Sequence, residues 1–221
     1  MKYFYSAAVM GYGLGRIWHK LFKMPKFPIT TKTLTYKKKI GYPFAIMRMG
    51  NSIWNRVSLH NIGIDNWISL NIKNVIVSIA GEPYELDVMV EKLNSLNILG
   101  IELNYSCPNH KKFSYKTITT KSKHPLYLKL RYTDNPYTYN LDIIKGIRLN
   151  SIPAFGGGMS GKYAQKYNWQ SLRNWLSDGL SVAGCSFVST TDLKRLEDMG
   201  CLEVGIGSSI LINPKLIEKL T

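Results

Sequence analysis

The stretch NVIVSIAGEPYELDVMVEKLNSLNILGIELN, residues 74–104, decides the reading of the fold. Asn74 to Ala80 is β-branched and nearly all apolar, which suits a strand buried on both faces. Pro83 to Leu96 follows, with Leu86, Val90, Leu93 and Leu96 on one helical face and Asn97 near its end. Ile98 to Leu103 is apolar again and reads as the next strand. A strand, a helix and a second strand at this spacing imply a right-handed crossover in a parallel sheet.

The same rhythm runs outward in both directions. Leu126 to Leu130 (LYLKL) is another strand, Asn140 to Gly146 reads as a helix, and Ile147 to Ile152 as a strand. Gly156 to Gly161 is a loop by composition. Tyr163 to Leu176 has helical period through Tyr167, Leu172 and Trp175, and Leu180 to Ala183 is a strand. Thr190 or Thr191 caps a helix through Met199, Cys201 to Ile206 is the last strand, and Ile210 to Leu220 the closing helix. Toward the N-terminus, Tyr3 to Val9 reads as a strand followed by a helix through Phe22. Phe27 to Thr31 is a strand that leads into a polar excursion. Strands near 3, 27, 75, 98, 126, 148, 180 and 202 make eight. Eight such units predict an α/β fold, a trimmed (β/α)8 TIM barrel forming a single domain over residues 1–221. The usual length of that fold is about 250 residues with a floor near 200. An open doubly wound sheet is the structural alternative.

Composition narrows the classes. With 45% hydrophobic, 19% charged and 12% aromatic residues the chain is globular rather than disordered. It has no run of eighteen apolar residues, so no membrane-spanning helix is expected. The opening MKYFYSAAVMGYGLG is short, aromatic and broken by glycine, and reads as mature protein rather than a leader. Lys and Arg number 29 against 14 Asp and Glu, a net charge of +15. The basic residues are scattered apart from Lys37-Lys38-Lys39 and the stretch from Lys111 to Lys123, so general basic drift is the preferred reading over a nucleic-acid face. Cys107, Cys185 and Cys201 form no CxxC, and the four histidines show no metal-ligand spacing. A reducing compartment and no metal are the expectation.

In a barrel of this kind functional residues collect where strands end. The polar residues there are Lys32, Asn104 with Cys107, Lys129, Asn150 with Ser151, and Gly207 with Ser208. Each alone is an ordinary solvated or buried residue. Together, from separated parts of the sequence, they predict one shared mouth.

These residues resemble a known family. Glu102-Leu103-Asn104-Tyr105-Ser106-Cys107-Pro108-Asn109 is similar to the E-L-N-x-S-C-P-N signature of the dihydroorotate dehydrogenases. Thr31-Lys32-Thr33 resembles that family's T-K-[ST] segment, and Asn55 to Gly63 its N-S-M-G-L-x-N-x-G loop. Lys129 resembles the strand lysine beside the flavin, and Asn150-Ser151 the N-[ST] pair. Gly157 to Gly161 resembles G-G-x-S-G, and Gly207-Ser208 the G-[TS] step at the flavin phosphate. The cysteine of SCPN resembles the soluble branches of the family.

The resemblance implies FMN as cofactor and oxidation of dihydroorotate to orotate, with fumarate the expected acceptor. It implies Cys107 as the base, a sensible role for a thiol of ordinary pKa about 8.5. Lys32, Asn55, Asn104, Asn109, Asn150 and Ser151 would bind the pyrimidine and its carboxylate. Lys32, Lys129, Gly11, Gly157, Gly158, Gly184, Gly207 and Ser208 would hold the flavin. It further implies a cytoplasmic enzyme acting on a small molecule, with a homodimer allowed and neither membrane nor nucleic acid as partner.

The chain departs from the pattern at Arg56-Val57-Ser58, at Val9-Met10-Gly11, at Gly41 to Ile46, and at Cys185-Ser186, where a glycine pair is usual. These differences keep two alternatives open. One is an FMN enzyme of the same fold acting on another pyrimidine or an alkene. The other is a barrel without catalysis that serves as a binding protein, for RNA among other ligands.

Overall fold

The computed structural model describes residues 1–7, 9–13, 15, 23–42, 45–106 and 119–220. Its strands in chain order are β1 (Lys2–Tyr5), β2 (Ile29–Thr30), β3 (Ile46–Met49), β4 (Ser52–Asn55), β5 (Val75–Ile79) and β6 (Gly100–Asn104), followed by β7 (Leu126–Leu130), β8 (Ile144–Leu149), β9 (Ile152–Ala154), β10 (Gly157–Gly161), β11 (Val182–Ala183) and β12 (Glu203–Ile206). The helices among the described residues are α1 (Ile64–Ile68), α2 (Pro83–Leu93), α3 (Lys162–Ser177), α4 (Thr190–Asp198), α5 (Ser209–Ile212) and α6 (Pro214–Glu218).

Eight strands form one parallel sheet in the order β11-β8-β7-β6-β5-β2-β1-β12. The two outer strands meet through Gly184, which donates to the Glu203 carbonyl at 2.8 Å and accepts from the Gly205 amide at 2.9 Å. The sheet is a (β/α)8 barrel, and all eight anticipated strands take part in it. Outward-facing Val77, Ile79, Leu103, Leu128 and Ile147 join the main core with Leu86, Val90 and Leu93 of α2 and Leu172 and Trp175 of α3. α2 starts where Pro83 needs no amide partner, and Glu82 and Glu85 exchange hydrogen bonds across its first turn.

A second, antiparallel sheet has the order β3-β4-β10-β9. It is built from chain inserted after β2 and after β8, so it stands at the C-terminal end of the barrel. Here the expected loop over Gly156 to Gly161 is corrected: residues 157–161 are strand β10. The glycine at 157 serves close approach rather than a turn. A Cβ there would come within 2.5 Å of the Asn55 carbonyl oxygen and 2.7 Å of the Trp54 indole nitrogen.

The helix expected over Asn140 to Gly146 is also corrected. Asn140 accepts from the Asp142 amide and caps one 3-10 turn, Leu141–Ile143, after which β8 begins. Pro214 divides the closing helix into α5 and α6, and Ser189, rather than Thr190 or Thr191, caps α4.

Strand residues paired in register point the same way. The row Asn104, Lys129, Arg148 and Ala183 therefore faces the barrel interior. Two large rings fill the interior where small residues leave space. A Cβ on Gly205 would lie 2.6 Å from Ser6 Oγ and 2.9 Å from the Phe4 ring, and one on Gly100 would lie 2.9 Å from the Tyr127 ring. Gly205→Val is expected to overpack this layer and cost about 1–3 kcal/mol. The measurement is a lower midpoint of urea unfolding at unchanged slope. A variant as stable as its parent would show that Phe4 is not wedged against this strand.

Candidate functional site

The strand ends and the second sheet enclose a cavity of about 290 Å³, at the small end of the range for ligand sites. Its walls include Lys32, Asn55, Asn104, Lys129, Asn150, Ser151, Gly184, Gly207 and Ser208, so nine of the residues singled out in the sequence meet there. Ile53 and Asn55 of β4 and Ser160 of β10 close it from the second sheet. Cys107 and Asn109 lie outside the described residues.

Gly11, Gly157 and Gly158 are not in the cavity wall. Gly11 instead accepts the Lys32 amide at 2.6 Å and thereby fixes the backbone that presents Lys32. Gly158 accepts from the Asn55 side-chain amide at 3.3 Å, while Gly157 packs against Trp54. These glycines support neighbours of the cavity.

The amide residues are themselves held in place. Asn104 donates to Thr33 Oγ1 at 2.9 Å, and Thr33 Oγ1 in turn meets Ser78 Oγ at 2.9 Å. Asn150 donates to the Ser106 carbonyl at 3.0 Å, and Ser106 Oγ donates to the Lys129 carbonyl at 2.8 Å. The last described residue before Cys107 is thus tied to the lysine strand and to Asn150.

Beneath the rim lies a charged cluster in which Lys129 is joined by Glu102 and Arg148, two residues to which the sequence motifs assigned no role. Glu102 is 1% exposed. Its Oε2 accepts from Arg148 Nη1 at 3.0 Å, and its Oε1 accepts from Ser78 Oγ at 2.8 Å and from Lys129 Nζ at 3.4 Å. Arg148 Nη1 also donates to Thr30 Oγ1 at 2.9 Å. The guanidinium carbon sits 4.0 Å from the centre of the Phe4 ring and 4.2 Å from that of Tyr127. Burial works to raise the Glu102 pKa. The charges of Lys129 and Arg148, with hydrogen bonds from Arg148 and Ser78, outweigh it and hold the carboxyl below its ordinary value.

Two described cysteines carry no base. Cys185 lines the cavity, but burial pushes its thiol up to about 11, and burial pushes Cys201 to about 12. Both are protonated at neutral pH.

Three buried side-chain atoms lack a hydrogen-bond partner among the described residues: Arg148 Nε, Asn168 Oδ1 and Ser209 Oγ. All three belong to residues of the cavity wall. Unpaired buried polar groups are costly, so a donor, an acceptor and a hydroxyl left open around one cavity fit a polar ligand. Ser209 follows Gly207-Ser208 directly, and a Cβ on Gly207 would meet only Ser6, at 3.9 Å. This open backbone beside a spare hydroxyl suits a phosphate group.

Comparison with known proteins agrees with the motif reading. No family model matches the chain. The dihydroorotate dehydrogenase B (NAD(+)) catalytic subunit of Thermoanaerobacter sp. (strain X514) is 35% identical over 111 residues, 46% of this chain and 37% of that protein. The corresponding subunit of Petrotoga mobilis is 35% identical over 116 residues, 48% of this chain and 39% of that protein. Over about half of its length the chain is similar to dihydroorotate dehydrogenase B catalytic subunits. The match spans under two-fifths of each of these relatives. A dihydroorotate dehydrogenase structure from Eimeria tenella, in complex with ferulenol, superimposes with a TM-score of 0.73 at 12% identity, covering 99% of this chain and 78% of the other. That likeness carries the barrel fold. Among the described residues no helix is long and apolar enough to cross a membrane.

Removing one member of the Glu102 cluster strands the others. Glu102→Ala is expected to cost about 3–5 kcal/mol at neutral pH, because two buried cations lose their counter-charge. The sign of the pH dependence follows from the lowered folded-state pKa. The ionised carboxylate contributes fully above the unfolded value of 4.5, and its contribution disappears as pH falls through the lower folded value. In urea titrations the gap between parent and Glu102→Gln should be constant from about pH 7 to 5 and shrink below the ordinary carboxylate range. A gap that widens on acidification contradicts an ionised Glu102.

Proposed function

We propose that the chain is an FMN-dependent oxidoreductase that oxidises dihydroorotate to orotate, a reaction of pyrimidine biosynthesis. One observation carries the reading. The cavity that gathers Lys32, Asn104, Lys129 and Asn150 also holds every unpartnered buried polar side-chain atom of the described residues. The residues of this cavity would hold FMN, which would supply the acceptor for the substrate's hydride.

The chain's own residues do the rest. Asn55, Asn104, Asn109 and Asn150 offer both donors and acceptors, which suits a pyrimidine that presents both. Ser151 orients the same side of the ring. Lys32 supplies positive charge to the substrate carboxylate, and Lys129 to the flavin ring. Cys107 takes the substrate proton as its thiolate, a role that rests on the SCPN motif. Gly207 and Ser208 hold the ribityl and phosphate groups through backbone amides, with the Ser209 hydroxyl as a further donor, while Gly184, whose amide donates to the Glu203 carbonyl, borders the same space without a side chain.

The purified protein should be yellow, release FMN on denaturation, and bleach anaerobically on addition of dihydroorotate. Cys107→Ala should retain FMN while bleaching falls by a factor of about 10² or more. Reduction of that variant at the parent rate removes Cys107 from the role. Ser209→Ala and Lys129→Ala should each weaken FMN binding about tenfold, the size of one hydrogen bond to a charged group. The sequence reading favours fumarate as oxidant, whereas the matched relatives carry NAD(+) in their names. Reoxidation of the bleached protein by one and not the other decides between them. Val57 and Ser58, which depart from the family pattern, also line the cavity. If dihydroorotate fails to bleach a yellow protein, other dihydropyrimidines and alkenes are the substrates to try.

A further inference from the structure

We infer that Arg148 sets the charge beneath the cofactor: with Glu102 and Lys129 it forms a buried cluster of net charge +1 in the cavity floor that favours the reduced, anionic flavin over the oxidised one. The inference rests on the FMN reading above. Its grounds are geometric. Arg148 is 4% exposed, lines the cavity beside Lys129 and Asn150, and leaves Nε without a partner. The guanidinium packs against the rings of Phe4 and Tyr127 and donates through Nη1 to Thr30 and Glu102, so it is fixed in place. One carboxylate is shared by two cations, Arg148 at 3.0 Å and Lys129 at 3.4 Å. Glu102 offsets one of these charges, and the other remains. Arg148 also borders a second cavity, of about 250 Å³, toward the N-terminal ends of β8, β11 and β12. Replacing a buried ion pair with apolar residues of similar volume is often neutral or stabilising, and Arg148 is buried. The guanidinium is therefore explained by its charge better than by its bulk.

Oxidised FMN takes up two electrons and one proton to give the anionic reduced form, so one negative charge develops on the ring. A fixed, desolvated positive charge in the cavity floor stabilises that product and raises the midpoint potential. Arg148→Met brings the cluster to 0, Glu102→Gln brings it to +2, and the double variant returns it to +1.

The test measures two quantities on each reconstituted protein. One is the dissociation constant of oxidised FMN, from fluorescence quenching. The other is the midpoint potential, from equilibration with a reference dye during reduction by dithionite. Arg148→Met should lower the preference for reduced over oxidised FMN at least tenfold, which for a two-electron couple is about 30 mV. Glu102→Gln should shift it in the opposite direction, and the double variant should return toward the parent. A purely structural Arg148 predicts potentials that do not track the charge, with damage adding up in the double variant. Potentials that do not follow the charge, in a parent that binds FMN, overturn this inference alone. A parent that binds no FMN overturns the cofactor reading and this inference with it. Should Arg148→Met fail to fold, the upward shift in Glu102→Gln and its cancellation in the double variant decide the matter.

Discussion

A carboxylate buried in the middle of a barrel is the constraint around which the rest is arranged. Isolating Glu102 from water would cost several kcal/mol. It is tolerated because Lys129 from β7, Arg148 from β8 and Ser78 from β5 converge on its two oxygens. The convergence also distinguishes a closed barrel from an open sheet. Arg148 on β8 and Thr30 on β2 are four strands apart in the sheet order. In a flat sheet that is about 19 Å at the usual strand spacing. Their side chains meet at 2.9 Å across the interior, which is possible only because the sheet curls until its two ends join at Gly184.

The interior and exterior of this barrel do different work. Barrel interiors are commonly filled with layers of branched aliphatic side chains. Here most of the branched strand residues face outward against the helices, and the inward layer holds Thr30, Ile76, Ser78, Glu102, Lys129 and Arg148 with two aromatic rings. Hydrophobic burial between sheet and helices stabilises the fold, which frees the interior to carry charge. Glycines at 100 and 205 make room for the rings of Tyr127 and Phe4, and those rings fix the guanidinium. Packing in this layer therefore serves electrostatics at the cavity floor.

The parallel strands were legible because both faces are buried, which leaves short apolar runs between polar loops. Leu126 to Leu130 and Asn74 to Ala80 are of this kind, and both lie in the barrel where expected. The misreadings have local causes. Around Asn140 the apolar spacing suits one helical turn, but Ile143 and Ile144 are β-branched, and Asn140 caps a turn too short to propagate. The glycine run at 156–161 resembles a loop because glycine usually marks one. Its role in β10 depends on Trp54, a hundred residues away, crossing the strand. Neither fact is local to the segment being read.

The site divides in the same way. Lys32, Asn104, Lys129 and Asn150 were recognisable because each ends a strand inside a short motif. Glu102 and Arg148 were quoted or passed over as strand interior. Yet a strand alternates its faces with period two, so the residue two positions before each rim residue must point into the same space, one layer down. Two before Asn104 is Glu102, two before Lys129 is Tyr127, and two before Asn150 is Arg148. These are the carboxylate, one of the clamping rings and the guanidinium of the cluster. The signal was present in the spacing but depends on knowing that the strands close into a ring, since in an open sheet the same three side chains would lie side by side on a face without converging. Once closure is granted, a charged second layer can no longer count as core filler, because filler of the same volume would cost less to desolvate. The layer belongs to the site above it.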